Sequence, residues 1–134
     1  MTDANDREAL VSYRLESAKE KLKAAIALLA DADYKDSVSR SYYAIFTAAR
    51  ALLATKRLDS SKHSGVIALF NQHFVKTGIV DKETSKLIEK AKVYRERADY
   101  GDYFIVSKEE TASQIESAKK FISEIEKVIE KGKS

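Results

Sequence analysis

The chain contains no cysteine, proline or tryptophan, only four glycines and a single methionine in 134 residues. The missing cysteine excludes disulfides, thiolate metal ligands and a cysteine nucleophile, and it suits a reducing, cytoplasmic setting. Without proline, and with so little glycine, long uninterrupted helices are permitted and a loop-rich fold is disfavoured. No apolar run approaches the roughly 18 residues of a membrane span, so no membrane contact is expected. The opening residues, Met1-Thr2-Asp3-Ala4-Asn5-Asp6, are polar and acidic, unlike a signal peptide. Enzyme signatures are equally scarce. There is no Gly-rich phosphate loop, no Gly-x-Ser-x-Gly turn and no His-Glu-x-x-His pair. With two histidines, His63 and His73, and no carboxylate–histidine spacing, no metal site is expected, and no cofactor.

What remains is helical. Hydrophobic residues make up 44% and charged residues 34%, values of a globular chain dense in Ala, Glu, Lys and Leu. The length suits one domain spanning residues 1–134. A net charge of +3 is compatible with an anionic ligand, but it is too small to announce nucleic acid by itself.

Apolar residues recur at three- and four-residue steps almost throughout. In the first segment these are Leu15, Ala18, Leu22, Ala25, Ile26 and Leu29, with Glu16, Lys19, Glu20 and Lys23 opposite. Asp31-Ala32-Asp33 ends it, and Asp33 with Asp36 can cap the next helix in a box-like arrangement. A second helix aligns Val38, Tyr42, Ile45, Ala49 and Leu52. Ser60 or Ser61 is the expected N-cap of a third, running through Val66, Ile67, Phe70 and Phe74 to a left-handed cap at Gly78. Asp81 opens a fourth, with Leu87, Ala91, Tyr94 and Ala98 in phase and Gly101 closing it. Ser107 and Glu110 form a capping box for the last, which carries Ile115, Ala118, Ile122, Ile125 and Ile129 before a frayed end from Lys131. Each amphipathic stripe must face the others to leave water. The expected fold is therefore all-α, an antiparallel bundle of four long helices with a shorter one inserted.

The segment Ser39–Leu53 carries a second row on nearly the opposite side of its helix: Arg40, Tyr43, Thr47 and Arg50. Tyrosine and arginine are enriched where proteins meet, so this row reads as an interface, a cleft wall or a solvated face. His63 follows Ser60, Ser61 and Lys62 in the first turn of the third helix. It can pack against a neighbouring helix, or help a helix start to hold an anion. His73 reads as an ordinary mid-helix residue. On the fourth helix Arg95 and Asp99 lie on the same side, while Arg97 points away. They can form a structural ion pair, or a carboxylate-oriented arginine that holds phosphate.

Taken in order, Ser39-Arg40-Ser41-Tyr42-Tyr43-Ala44, Ala49-Arg50-Ala51-Leu52-Leu53, His63-Ser64-Gly65-Val66, Phe70, Phe74-Val75-Lys76-Thr77-Gly78, Arg95 and Ala98-Asp99-Tyr100-Gly101 resemble the HEPN family. The name stands for higher eukaryote and prokaryote nucleotide-binding. The resemblance implies an up-and-down four-helix bundle with an additional short helix, usually a homodimer. It also implies a minimal nucleotidyltransferase encoded nearby and, in many members, a toxin–antitoxin module whose toxin is a metal-independent ribonuclease. Those toxins use an arginine, four to six residues and then a histidine. Here Arg95 is followed by Asp99 and Tyr100 in place of that histidine, and Arg57 with His63 is a formal match in the wrong location. An aspartate, with an unperturbed pKa near 4, does not replace imidazole as a proton donor near neutral pH.

Three functions follow. The first is binding of a nucleotide, an RNA phosphate or the nucleotidyltransferase through Arg40, Tyr43, Arg50, His63, Arg95, Asp99 and Tyr100. The second is an RNA endonuclease with a displaced site at His63 and either Arg95 or Arg57. The third is a module for dimerisation alone.

Overall fold

The structure, a computed structural model, describes residues 3–100 and 104–133. Among the described residues five α-helices follow one another: α1 (Asp3–Ala30), α2 (Tyr34–Ala54), α3 (His63–Phe70), α4 (Lys82–Asp99) and α5 (Lys108–Gly132). The architecture is all-α. The long helices α1, α2, α4 and α5 form the up-and-down bundle, with the short α3 inserted between α2 and α4. Gly101, the expected end of α4, lies outside the described residues.

Helix α2 is the axis of the fold, packing against α1, α3, α4 and α5. The expected seam Val38, Tyr42, Ile45, Ala49 and Leu52 is fully buried. Beside it runs a line of small buried residues, Ser37, Ser41, Ala44, Ala48 and Ala51. Ser37 Oγ donates to the Ala25 carbonyl of α1 at 2.7 Å, which places this line against α1. There Val11, Ala18 and Ala25 are buried at seven-residue steps. Small side chains let the two backbones approach closely. Only the row Arg40, Tyr43, Thr47 and Arg50 keeps solvent contact along the middle of α2, apart from the half-buried Ser39. That row thus lies on the solvent side of α2, as its spacing predicts.

Helix α5 buries its whole isoleucine stripe together with Phe121, whose ring lies 5.7 Å from that of Phe70. Each such side chain contributes about 1.5–3 kcal/mol of transfer free energy. The Ser107–Glu110 capping box is formed as expected, and Asp81 caps α4 by accepting from the Thr84 N–H at 2.7 Å. Gly78 has φ of +80°, the left-handed conformation anticipated for it.

Several local expectations fail, each for an identifiable reason. Ile26 is exposed, because its position lies outside the buried line set by Ala18 and Ala25. Asp33 makes no side-chain cap to α2. Desolvation and then the neighbouring Asp36 carboxyl push its pKa up, while the Asp36 backbone N–H acts in the opposite direction. Neither serine caps α3. Lys62 occupies the N-cap position, because Ser60 Oγ instead accepts from the Lys62 N–H at 3.2 Å. The third helix is not regular to Gly78 either: a π-helical turn over Asn71–Val75 follows α3, with Lys76 N–H donating to the Asn71 carbonyl at 2.9 Å. The wider turn keeps Phe74 in the core with Phe70, their rings 6.4 Å apart. At the far end, α5 holds its helix to Gly132 instead of fraying at Lys131.

Candidate functional site

Three segments converge on the α2 ring pair Tyr42–Tyr43. The start of α3 brings His63, α4 brings Arg95, and one turn further along α2 comes Phe46. The imidazole of His63 stacks at 4.3 Å from the Phe46 ring, and its Nδ1 lies 3.3 Å from the Tyr42 hydroxyl. The Tyr43 ring meets it edge-on at 5.8 Å. Burial, then the positive charges of Arg95, Arg50 and Lys92, pull the His63 pKa below the usual histidine value. The ring is therefore neutral at physiological pH. Tyr42 is fully buried, and burial pushes its phenol up to about 12 despite the nearby Arg95. It stays an uncharged hydroxyl that can donate to, or accept from, the imidazole.

Arg95 lies over both tyrosines, its guanidinium carbon 5.6 Å from the Tyr42 centroid and 5.3 Å from that of Tyr43. Its Nη2 donates to the Tyr43 hydroxyl at 2.9 Å. Asp99, one turn on, has Oδ2 3.4 Å from Arg95 Nε, an ion pair that leaves this Nε–H without a hydrogen-bond partner. The ion-pair reading of Arg95 and Asp99 is thus met in the geometry, with the guanidinium also lying over two aromatic rings. A guanidinium oriented in this way suits an oxyanion, since it is planar, permanently charged and already held in place.

Not every residue singled out in the sequence joins this cluster. Arg40 is exposed and lines an open groove of about 480 Å³ with Lys21, Leu28, Asp36, Ser39 and Tyr43. Tyr43 is common to that groove and to the His63–Arg95 cluster. Arg50 sits two turns beyond Tyr43 and is paired with Asp59 at 3.0 Å. Tyr100, at the end of α4, is 78% exposed. Arg57 is an exposed loop residue with φ of +59°, and His73 lies on the π-helical turn. Phe46, Asp59 and Arg14 are not among the site residues that the sequence singles out, and Tyr42 stands there only in the core seam and in the run that carries the family resemblance. The Tyr42–Phe46 step of four was a usable signal. For Asp59, in an aperiodic loop, no pattern pointed to it.

Among the described residues no group of three or more His, Cys, Asp or Glu side chains is placed to hold a metal ion. No helix among them is long and apolar enough to cross a membrane. A separate cavity of about 420 Å³ near the end of α2, floored by Val11, Leu52, Phe74 and Ile129, includes none of the cluster residues.

The helical arrangement, with an arginine held against the aromatic rings of α2, defines an all-α domain that presents a half-buried guanidinium. Residues 11–128 match the model of the HEPN domain, and the chain belongs to that family. It is 40% identical to a UPF0332 protein of Thermotoga maritima, over 94% of this chain and 96% of the relative. Two proteins of Methanocaldococcus jannaschii are also similar. "Putative toxin MJ0605" is 40% identical over 86% of this chain and 85% of its own length. "Putative toxin MJ0142" is 35% identical over 86% and 78% respectively. The fold is shared with the crystal structure of TT1696 from Thermus thermophilus, at a TM-score of 0.74 and 17% identity, covering 88% of this chain and 97% of the other.

Proposed function

We propose that this single-domain HEPN protein binds a nucleotide or RNA phosphate as one component of a toxin–antitoxin-like pair with a minimal nucleotidyltransferase. The observation that carries the binding reading is the placement of Arg95: stacked over Tyr42 and Tyr43, steered by Asp99, with His63 across the same rings. The guanidinium takes the phosphate, while the half-buried faces of Tyr43 and His63 are suited to stack a base. Arg40 and Lys21, in the adjoining groove, supply further positive charge for a longer strand. The two relatives whose names carry the word toxin support the two-component reading. The partner nucleotidyltransferase, a homodimeric state and a cytoplasmic location belong to the same proposal.

The test is fluorescence anisotropy with a labelled single-stranded RNA over a salt series. Saturable binding that weakens with salt supports the reading. Anisotropy that stays flat in low salt rejects the RNA arm of it.

A second reading is favoured by one specific feature, the neutral His63 beside Arg95. If Nδ1–H donates to the Tyr42 oxygen, Nε2 keeps a lone pair and can take the proton of a ribose 2′-OH. The oxygen then attacks the adjacent phosphorus, the P–O5′ bond breaks to leave a 2′,3′-cyclic phosphate and a 5′-hydroxyl that takes the proton back from His63, and Arg95 stabilises the charge that develops. This metal-independent endonuclease reading predicts RNA cleavage in EDTA that is lost in both His63→Ala and Arg95→Ala. An intact substrate with the wild-type protein rejects it.

A further inference from the structure

The loop between α2 and α3 carries a carboxylate clamp at Asp59. Asp59 receives both arginines that α1 and α2 send toward it. Arg14 Nη2 donates to Oδ2 at 3.1 Å, and Arg50 Nη2 reaches Oδ1 and Oδ2 at 3.2 and 3.0 Å. Arg14 is itself pinned, because its Nη1 donates to the Arg50 carbonyl at 3.0 Å. The clamp therefore ties α1, α2 and the loop together at one carboxylate.

From Asp59 a relay of short contacts runs to His63. Oδ1 accepts the Ser60 N–H at 2.8 Å, and Ser60 Oγ accepts the Lys62 N–H at 3.2 Å. The Lys62 carbonyl then takes the Val66 N–H at 3.1 Å, closing the first turn of α3. Ser60 Oγ also lies so close to Gly65 that a β-carbon there would overlap it. Each link is local, and together they fix where the α3 helix starts and where its first side chain, His63, points. The N-cap is a lysine with no side-chain cap bond, so the start of this helix depends on the turn before it.

We propose that Asp59 is the positioning residue for His63: clamped by Arg14 and Arg50, it fixes the turn that sets the imidazole against Tyr42 and Phe46. The functional consequence rests on the binding reading above, but the positioning itself does not. Ion pairs this exposed contribute little to global stability, since screening by water reduces each to about 0–1 kcal/mol. Their consequence here is geometric. The Asp59 carboxylate is held below the usual carboxylate range: its own desolvation acts the other way, but hydrogen bonds from Arg50, the Ser60 N–H and Arg14 together outweigh it. It therefore keeps its charge, and the clamp its ion pairs, above the ordinary carboxylate range.

The test follows the His63 ring protons by NMR from about pH 4.5 to 8, bracketing the ordinary histidine range, in wild type, Asp59→Asn, Asp59→Glu and Ser60→Ala. His73, the second histidine, is the internal reference. The groups facing His63 are Tyr42, Tyr43 and Arg50 from α2 and Lys92 and Arg95 from α4. In Asp59→Asn the displacement caused by the Phe46 ring shrinks, and the His63 pKa moves up toward the ordinary value of about 6.5 as the ring regains water. Asp59→Glu restores the wild-type curve, and Ser60→Ala shifts it in the same upward direction by less. Removal of a negative charge beside Arg50 would by itself lower the pKa further. A fall, or a curve superimposed on wild type, overturns the proposal. If Asp59→Asn is poorly folded, Ser60→Ala keeps the clamp and cuts the relay, and a wild-type curve there overturns it equally. No nucleotide is present in the experiment, so its outcome is separate from that of the binding test.

Discussion

Arg95 and Tyr43 are 52 residues apart in sequence, yet the guanidinium donates to the phenol oxygen at 2.9 Å and lies 5.3 Å from the centre of its ring. One arginine thereby joins α4 to the outward row of α2. The same contact fixes where the guanidinium lies over the Tyr43 ring.

This contact is measurable as a coupling. In a double-mutant cycle with Tyr43→Phe and Arg95→Ala, urea unfolding gives an interaction energy of about 0.5–1.5 kcal/mol. Arg95→Ala costs more than Tyr43→Phe, because it also removes the contact with Tyr42. Strict additivity of the two single variants means that the contact is not made in solution.

His63 makes stability depend on pH with a definite sign. Its folded-state pKa lies below the unfolded value, so the unfolded chain takes up the proton first. Its contribution is complete above the ordinary histidine value of about 6.5 and declines as the pH falls toward the lower folded pKa. Unfolding midpoints in urea, taken about one unit above, at and about one unit below that value, should fall for wild type and fall less for His63→Gln. Equal slopes for the two proteins contradict the half-buried, neutral assignment.

Gly65 is required by the space it leaves for Ser60. Gly65→Ala destabilises the protein by about 1–3 kcal/mol, as overpacking does. Ser60→Gly added to it removes the overlap and recovers much of the loss, which thermal unfolding of the three variants reads directly. No recovery places the cost elsewhere.

The capping box at α5 gives a further check. Ser107→Ala removes the acceptor for the Glu110 N–H and lowers stability by about 1 kcal/mol. The Glu110 carboxyl is held below the usual range by the Ser107 N–H and by Tyr94. The stability it supplies is present above the unfolded carboxylate pKa and is lost as the pH falls through the folded one. Denaturant titrations at neutral pH and at about pH 4, near the ordinary carboxylate value, should therefore separate Glu110→Ala from wild type less at the lower pH.

The bundle was largely legible in the sequence, because its information is periodic. The stripe from Ile115 to Ile129, the seam from Val38 to Leu52 and the caps at Gly78, Asp81 and Ser107 all depend on residues within a few positions of one another. His63, Arg95, Asp99 and Tyr43 could each be singled out by chemistry and by family resemblance. Their convergence could not be seen, because it depends on where α3 and α4 dock against α2. The failures are of the same kind. Ser60 looked like a helix cap, but Asp59 and Lys62 take up its hydrogen bonds. Asp59 carried no pattern, and its importance appears only when Arg14 and Arg50 arrive from two other helices.

The most direct measurement is isothermal titration calorimetry of ATP and GTP into the wild-type protein and into Arg95→Ala. Saturable heat is expected with at least one of these nucleotides in wild type, and affinity about tenfold or more weaker in the variant, the loss expected for one charged hydrogen-bonding partner. A flat wild-type trace at millimolar nucleotide, or unchanged affinity without Arg95, would contradict the assignment of the Arg95 cluster as a phosphate-binding site.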